Sequence, residues 1–236
     1  MDVKDDILLY ENSNIEDLAV IGRKQKRSGI KKIEKGLKRG IDILGGICGT
    51  LTLIPLTMIV WAANKIAKDN GPVFYTQTRI GKDGKLFKLY KYRSMVVGAD
   101  EILEKYLQEN EEARKEYKEY KKLKNDPRIT KIGRILRKTS LDEFPQFINV
   151  LKGDMSLVGP RPYLPRERED INGFFKYITS CKPGITGLWQ TRGRSNTTFT
   201  DRLTMDMEYY QNNSLKQDIK LIYKTVKNVI KKEGAI

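Results

Sequence analysis

The sequence predicts a helix-rich α/β chain: an apolar helix–break–helix hairpin that re-enters a membrane, a small β-hairpin, and a domain edged by amphipathic, interfacial helices. Three observations lead there. The run from Ile43 to Ala63 holds 21 residues without a formal charge, enough for the ~20 that a helix needs to span a bilayer core, and Pro55 interrupts it. The stretch VFYTQTRIGKDGKLFKLYKYRSM (73–95) alternates around an Asp83-Gly84 turn signal. Helix-period apolar stripes then recur towards the C-terminus.

Taken in order, residues 1–35 read as an arm, acidic first and then strongly basic, suited to lie along anionic lipid. Residues 36–68 form the apolar hairpin. A central proline breaks or kinks a helix, and basic residues flank both sides, among them Lys38 and Arg39 before, and Lys65, Lys68 and Arg79 after. The positive-inside rule keeps both flanks on the cytoplasmic side; a kinked single-pass anchor is the competing reading. Residues 69–236 make the remaining domain. Within it, 100–124 predicts a helix or a pair of short helices, with a buried stripe of Leu103, Leu107, Ala113, Tyr117, Tyr120 and Leu123, stopped by Pro127. Near the C-terminus, DIKLIYKTVKNVIKK places Ile222, Val226, Val229 and Ile230 on one helical face, for a core or for a membrane surface.

A net charge of +15 points to a polyanionic partner: nucleic acid, an anionic membrane face or a phosphorylated substrate. The chain has no histidine, which removes Ser-His-Asp and Cys-His catalysis and the commonest zinc ligand. Carboxylates, lysines or a hard cation such as Mg²⁺ must then carry any chemistry. Cys48 and Cys181 are too far apart in sequence to suggest a metal pattern and read as inert packing residues. No phosphate-loop or dinucleotide glycine pattern occurs.

The informative run is RKTSLDEFPQFINVLKGDMSLVGPRP (137–162). In one reading, Ser140 and Glu143 form a capping box and Asp142 complements the helix dipole. In the other, a helix N-terminus holds the Asp142 carboxylate ionised as a nucleophile, while Arg137, Lys138 and Arg161 neutralise a phosphorylated ligand.

The order of these blocks, continued by KPGITGLWQTRGRSN and DIKLIYKTVKNVI, resembles the bacterial sugar transferase family, the monotopic phosphoglycosyl transferases, over roughly residues 36–236. The resemblance implies a cytosolic catalytic domain on the inner membrane. It implies a two-step transfer of sugar 1-phosphate from a UDP-sugar to undecaprenyl phosphate, with release of UMP. Matched residue by residue, Asp142 is the nucleophile and Glu143 its partner. Lys91, Arg93, Arg137, Arg161 and Arg194 line the phosphate site, Asp206 is a downstream acidic position, and Mg²⁺ sits at the dyad with Asp142 as a ligand. Anionic lipids are expected partners, nucleic acid is not, and a homodimer is allowed.

Departures from the family pattern are Ile54 before Pro55, where a small residue is usual, and the charged Thr191-Arg192. The length of 100–124 and the ending KKEGAI look closest to members acting on UDP-galactose or UDP-glucose. The competing classes are a basic nucleic-acid-binding protein, which leaves the apolar run without purpose, and a noncatalytic membrane adaptor, against which the intact dyad speaks.

Overall fold

The structure is a computed structural model and describes residues 28–192 and 197–231. The arm therefore lies outside the described residues as far as residue 27, and the chain is helical from Ser28.

Helix α1 (Ser28–Ile66) runs unbroken through Pro55. The sequence predicts a break there. Helical geometry continues instead, although proline removes the bond to the carbonyl of Leu51. The physical reason is that one face of α1 is packed on both sides of the proline. Gly45, Gly46 and Gly49 lie against Leu157, Leu151 and Phe147. Beyond Pro55, the Thr57 hydroxyl meets that of Tyr92 at 2.7 Å, and Val60 is buried with Tyr92 and Leu136, as Leu53 is before the proline. Two polar anchors hold the earlier turns. Lys38 Nζ donates to Asp218 at 2.5 Å and to the Val158 carbonyl at 3.0 Å. Asp42 accepts from Ser156 Oγ at 2.9 Å and from the Leu157 N–H at 2.8 Å.

The opposite face of α1 is apolar and uncovered: Leu44, Leu51, Ile54, Met58, Ile59 and Trp61 are all exposed. By length and composition α1 could cross a membrane, and only 22% of its most apolar stretch is buried. Cys48 also faces outward, unlike Cys181, which packs into the core. Only the second of the two is the packing residue the sequence suggests.

Strands β1 (Phe74–Ile80) and β2 (Leu86–Tyr92) form the expected antiparallel hairpin, with Phe74 opposite Tyr92 and Ile80 opposite Leu86. Asp83 and Gly84 take φ values of 57° and 76° in its loop, as the turn signal requires. The predicted helical pair appears as α2 (Ala99–Glu109) and α3 (Glu111–Tyr120), joined through Asn110, whose side chain caps α3. Leu103, Ala113 and Leu123 are its buried stripe, with Leu107 and Tyr117 packed alongside.

Helix α4 (Lys131–Thr139) leads through a single 3-10 turn, Leu141–Glu143, into α5 (Gln146–Lys152). Next come β3 (Ser156–Val158), the short helices α6 (Arg168–Ile171) and α7 (Phe175–Ile178), and β4 (Gly184–Thr186). Strands β3 and β4 pair in parallel, Ser156 with Gly184 and Val158 with Thr186. At three residues each, they are too short for any periodicity to announce them.

The chain closes with α8 (Leu188–Arg192), α9 (Phe199–Asn212) and α10 (Leu215–Ile230). The face predicted for α10 is split. Leu221 and Ile222 enter the core, whereas Val226 and Val229 join Ile219 and Tyr223 on an exposed apolar side. The side chain of Ile230 lies outside the described residues.

Gly133 sets the seat of α4. A Cβ there would stand 1.9 Å from the Ser94 carbonyl oxygen, which also accepts from the Thr130 N–H at 3.1 Å. Gly133→Ala should displace α4 and the 3-10 turn behind it. Overpacking of this kind costs about 1–3 kcal/mol, more than the ~1 kcal/mol that alanine gains in a helix. A lowered denaturation midpoint checks it; an unchanged midpoint would mean that α4 is not held at this contact.

Candidate active site

The centre of the site is the 3-10 turn. Helix α4 ends in Ser140, held in the left-handed region at φ 58°, with its N–H bonded to the Arg137 carbonyl at 3.1 Å. The Ser140 side chain caps nothing at the following turn. The capping-box reading therefore does not describe this segment. Glu143 instead accepts from Lys91 Nζ, on β2, at 2.8 Å.

Packing on either side fixes the pair. Leu141 and Phe144 sit in the cluster that contains Leu53, Leu56 and Val60 of α1. Asn149 of α5, fully buried, joins α5 to β2 by accepting from the Tyr90 N–H at 3.0 Å and donating to the Lys88 carbonyl at 2.7 Å. The turn and the lysine strand are thus braced against each other and against the apolar helix.

The two carboxylates have opposite environments. Asp142 is 7% exposed, and burial pushes its carboxyl up, with Lys91 opposing and the neighbouring Glu143 charge adding to the rise. Burial acts in the same direction on Glu143, whose side chain is 37% exposed. There Lys91, by charge and hydrogen bond, outweighs it, with help from Arg161 and Gln146, and the carboxyl lies below its ordinary value. The expected effect of a helix N-terminus on Asp142 is reversed, because a three-residue turn carries little dipole and desolvation dominates.

Beside the pair opens a small cleft lined among others by Lys91, Glu143, Gln146, Arg79, Arg161 and Trp189, with Asp142 outside its lining. The Arg161 guanidinium lies over the Trp189 ring at 5.4 Å, and Arg202 at 5.3 Å. Asp206 does not line this cleft. It is fully buried and accepts from the Arg161 N–H at 3.0 Å and the Tyr163 hydroxyl at 2.7 Å, so it positions the turn that carries Arg161.

Arg137 reaches Ser94 Oγ at 3.0 Å. Arg93 is turned into a structural bond set, with Asp69 at 2.7 Å and the Pro72 carbonyl at 2.6 Å, away from the cleft. Arg194 lies outside the described residues. Lys91, Glu143 and Arg161 are thus brought together; Arg93 and Asp206 act elsewhere.

Sequence reading passed over Arg79, Gln146 and Trp189 as site residues. Arg79 looked like flanking charge, although its place two residues after Gln77 on a strand puts both on one face.

A hard cation suits the donors present. Asp142 and Glu143 are adjacent, and Asp142 forms no salt bridge among the described residues. No group of three or more acidic, histidine or cysteine side chains is assembled among them. That set is too sparse for an all-protein cage, but Mg²⁺ is commonly held by one or two carboxylates together with waters and substrate phosphates.

The model of the bacterial sugar transferase family matches residues 33–232. The chain belongs to that family. Its relatives include the undecaprenyl-phosphate galactose phosphotransferase of Salmonella typhimurium, 45% identical over 87% of this chain and 43% of the relative. The UDP-glucose:undecaprenyl-phosphate glucose-1-phosphate transferase of Escherichia coli is 39% identical over 84% of this chain and 40% of the relative. The exopolysaccharide production protein ExoY of Rhizobium meliloti is 38% identical over 89% of this chain and 93% of the relative. The chain spans less than half the length of the first two and nearly the whole of the third. For this bacterial sugar transferase, the matched region takes in the exposed apolar face of α1, the carboxylate pair and the cleft.

Burial pushes the Asp206 carboxyl up to about 7, against the hydrogen bonds from Tyr163 and Arg161. An unfolded aspartate titrates near ~4, so the folded protein binds the extra proton between those values. The stability this contributes is complete in acid and lost as pH rises through about 7. Asp206→Asn should flatten that fall, seen as melting temperature across pH 5 to 8; equal slopes in both proteins would contradict it.

Proposed function

We propose that this chain transfers a sugar 1-phosphate from a UDP-sugar, galactose or glucose in the first instance, to undecaprenyl phosphate at the cytosolic face of the bacterial inner membrane. The observation that carries the reading is the junction between the carboxylate pair and α1. Leu141 and Phe144, which bracket Asp142 and Glu143, pack on Leu53, Leu56 and Val60 of the helix whose other face is uncovered and apolar. A carrier lipid keeps its phosphate at the headgroup plane while a nucleotide sugar arrives from water, and this junction would set the cationic cleft close to that plane. The names of the relatives support the acceptor and the class of transfer.

In the first step a carboxylate oxygen of Asp142 attacks the β-phosphorus of the donor. The bond from that phosphorus to the bridging oxygen breaks, and UMP leaves with the electron pair. A phosphosugar remains on Asp142. In the second step a phosphate oxygen of undecaprenyl phosphate attacks the same phosphorus, forming the diphosphate and freeing the carboxylate.

Lys91 keeps Glu143 ionised and lowers the cost of charge on buried Asp142. Arg161, held by Asp206 and laid on Trp189, offers a fork to the phosphate oxygens. Asp142 and Glu143 would hold Mg²⁺, which when bound neutralises phosphate charge.

Residues 36–68 form the membrane segment in this proposal and 69–236 the cytosolic domain. Contacts of the unbroken α1 with the same domain before and after Pro55 support a helix held against that domain along its length, with its other face turned to lipid.

Incubating the protein with UDP-galactose or UDP-glucose and Mg²⁺, without lipid, should leave a sugar-phosphate adduct by intact mass. Asp142→Asn should abolish it and reduce turnover by about 10³-fold or more. An adduct that persists in the variant would remove Asp142 from the nucleophile's role. Because burial raises the Asp142 carboxyl and Lys91 opposes that rise, Lys91→Met should move the acid limb of the pH–rate profile to higher pH. A slower profile with an unmoved limb would assign Lys91 to substrate binding alone.

A further inference from the structure

Arg79 has no part in the mechanism above, yet it lines the same cleft as Lys91, Glu143 and Arg161. It is 7% exposed. Both ends of its fork are fixed by neutral acceptors: Nη1 donates to the Pro162 carbonyl at 2.8 Å and Nη2 to Gln77 Oε1 at 2.5 Å. Its Nε is buried with no hydrogen-bond partner among the described residues. Among the described residues no carboxylate lies within salt-bridge distance of it.

A buried cation without a counter-ion is costly. Here a second cation adds to the cost: burial, and then the Arg161 charge, lower the Arg79 value to about 10, and the charges of Glu167 and Glu143, neither in salt-bridge contact with it, offset only part of that. Bracing Pro162 does not explain this, because a neutral donor would brace a carbonyl without the charge penalty. The charge is accounted for when an anion enters the cleft. Two guanidiniums, one on β1 and one on the Gly159–Pro162 turn, suit a ligand with two linked phosphates better than a single phosphate.

We propose that Arg79 is a donor-binding residue, the second guanidinium that, with Arg161, holds the diphosphate of the nucleotide sugar. This rests on the donor reading above. It adds a specificity element, because the acceptor brings only one phosphate group.

The test is isothermal titration of the detergent-purified full chain with UDP and, separately, with inorganic pyrophosphate. The wild type is compared with Arg79→Met and Arg79→Lys. Arg79→Met should weaken both ligands by about 10- to 100-fold and reduce the salt dependence of binding. Arg79→Lys, which keeps charge but not the fork, should fall between. Thermal melting identifies the folded variants; if Arg79→Met does not fold, Arg79→Lys alone decides, with a loss of several-fold expected. Wild-type affinity for UDP in a folded Arg79 variant would overturn the assignment and leave the donor reading standing. Arg79-dependent binding of pyrophosphate without binding of UDP would uphold the anion site and overturn the uridine donor instead.

Discussion

The contact between the dyad turn and α1 constrains everything around it. In the proposed reaction the nucleophile for a lipid-borne phosphate sits at an apolar boundary, yet it is a carboxylate, which an apolar boundary disfavours. The chain meets both demands by alternation over four residues. Leu141 and Phe144 pack with α1, while Glu143 bonds Lys91 and lines the cleft and Asp142 is buried beside it. A single 3-10 turn does this because its tight winding, three residues per turn, brings residues 141 and 144 to the same side. An α-helix begun at Ser140 would have spread the same residues differently, and the left-handed Ser140 prevents it.

The electrostatics follow from that placement. Two adjacent carboxylates would repel each other and both would be pushed towards protonation. Lys91 breaks the symmetry by bonding only Glu143, so the two are driven apart in opposite directions. Environments that separate a pair in this way commonly mark a division of chemical labour. Around them the cations are graded by what they touch. Arg93 is absorbed by Asp69, Arg161 is aimed by Asp206 and Trp189, and Arg79 forms no salt bridge among the described residues. Residue type alone does not separate these three arginines; burial and partners do.

Much of this was legible in the sequence for reasons that are local. The hairpin announces itself through Asp83-Gly84, where a positive φ is needed, and the helical pair through an unbroken stripe ended by proline. The dyad and its basic neighbours were legible because ordered blocks of sequence resemble a known family, not because a capping box points to chemistry. What stayed hidden depends on pairing at a distance. The parallel contact of β3 with β4 joins segments some thirty residues apart and has no periodic signal. The outward turn of Val226 and Val229 depends on which side of α10 meets the core. Arg79 and Arg93 sit in similar basic, aromatic surroundings, and their fates are decided by Gln77, Pro162 and Asp69, which no spacing rule singles out.

On the proposed function, helix α1 has to serve transfer at one face of a membrane although it is long and apolar. A simple crossing would carry about 20 residues through the hydrocarbon and strip them from the domain. The packed face of α1 does not allow that without loss. From Lys38 and Asp42, through the three glycines and Leu53, to Thr57 and Val60, it touches the catalytic domain at nearly every turn. The glycines bring the helix so close that a Cβ at Gly49 would stand 2.2 Å from the Phe147 ring, so these are core contacts and not a loose resting surface. The exposed apolar face runs alongside them, from Leu44 to Trp61. With lipid on that exposed face, as proposed, and the dyad turn packed on the other, α1 would give transfer onto a membrane-bound phosphate the geometry it requires.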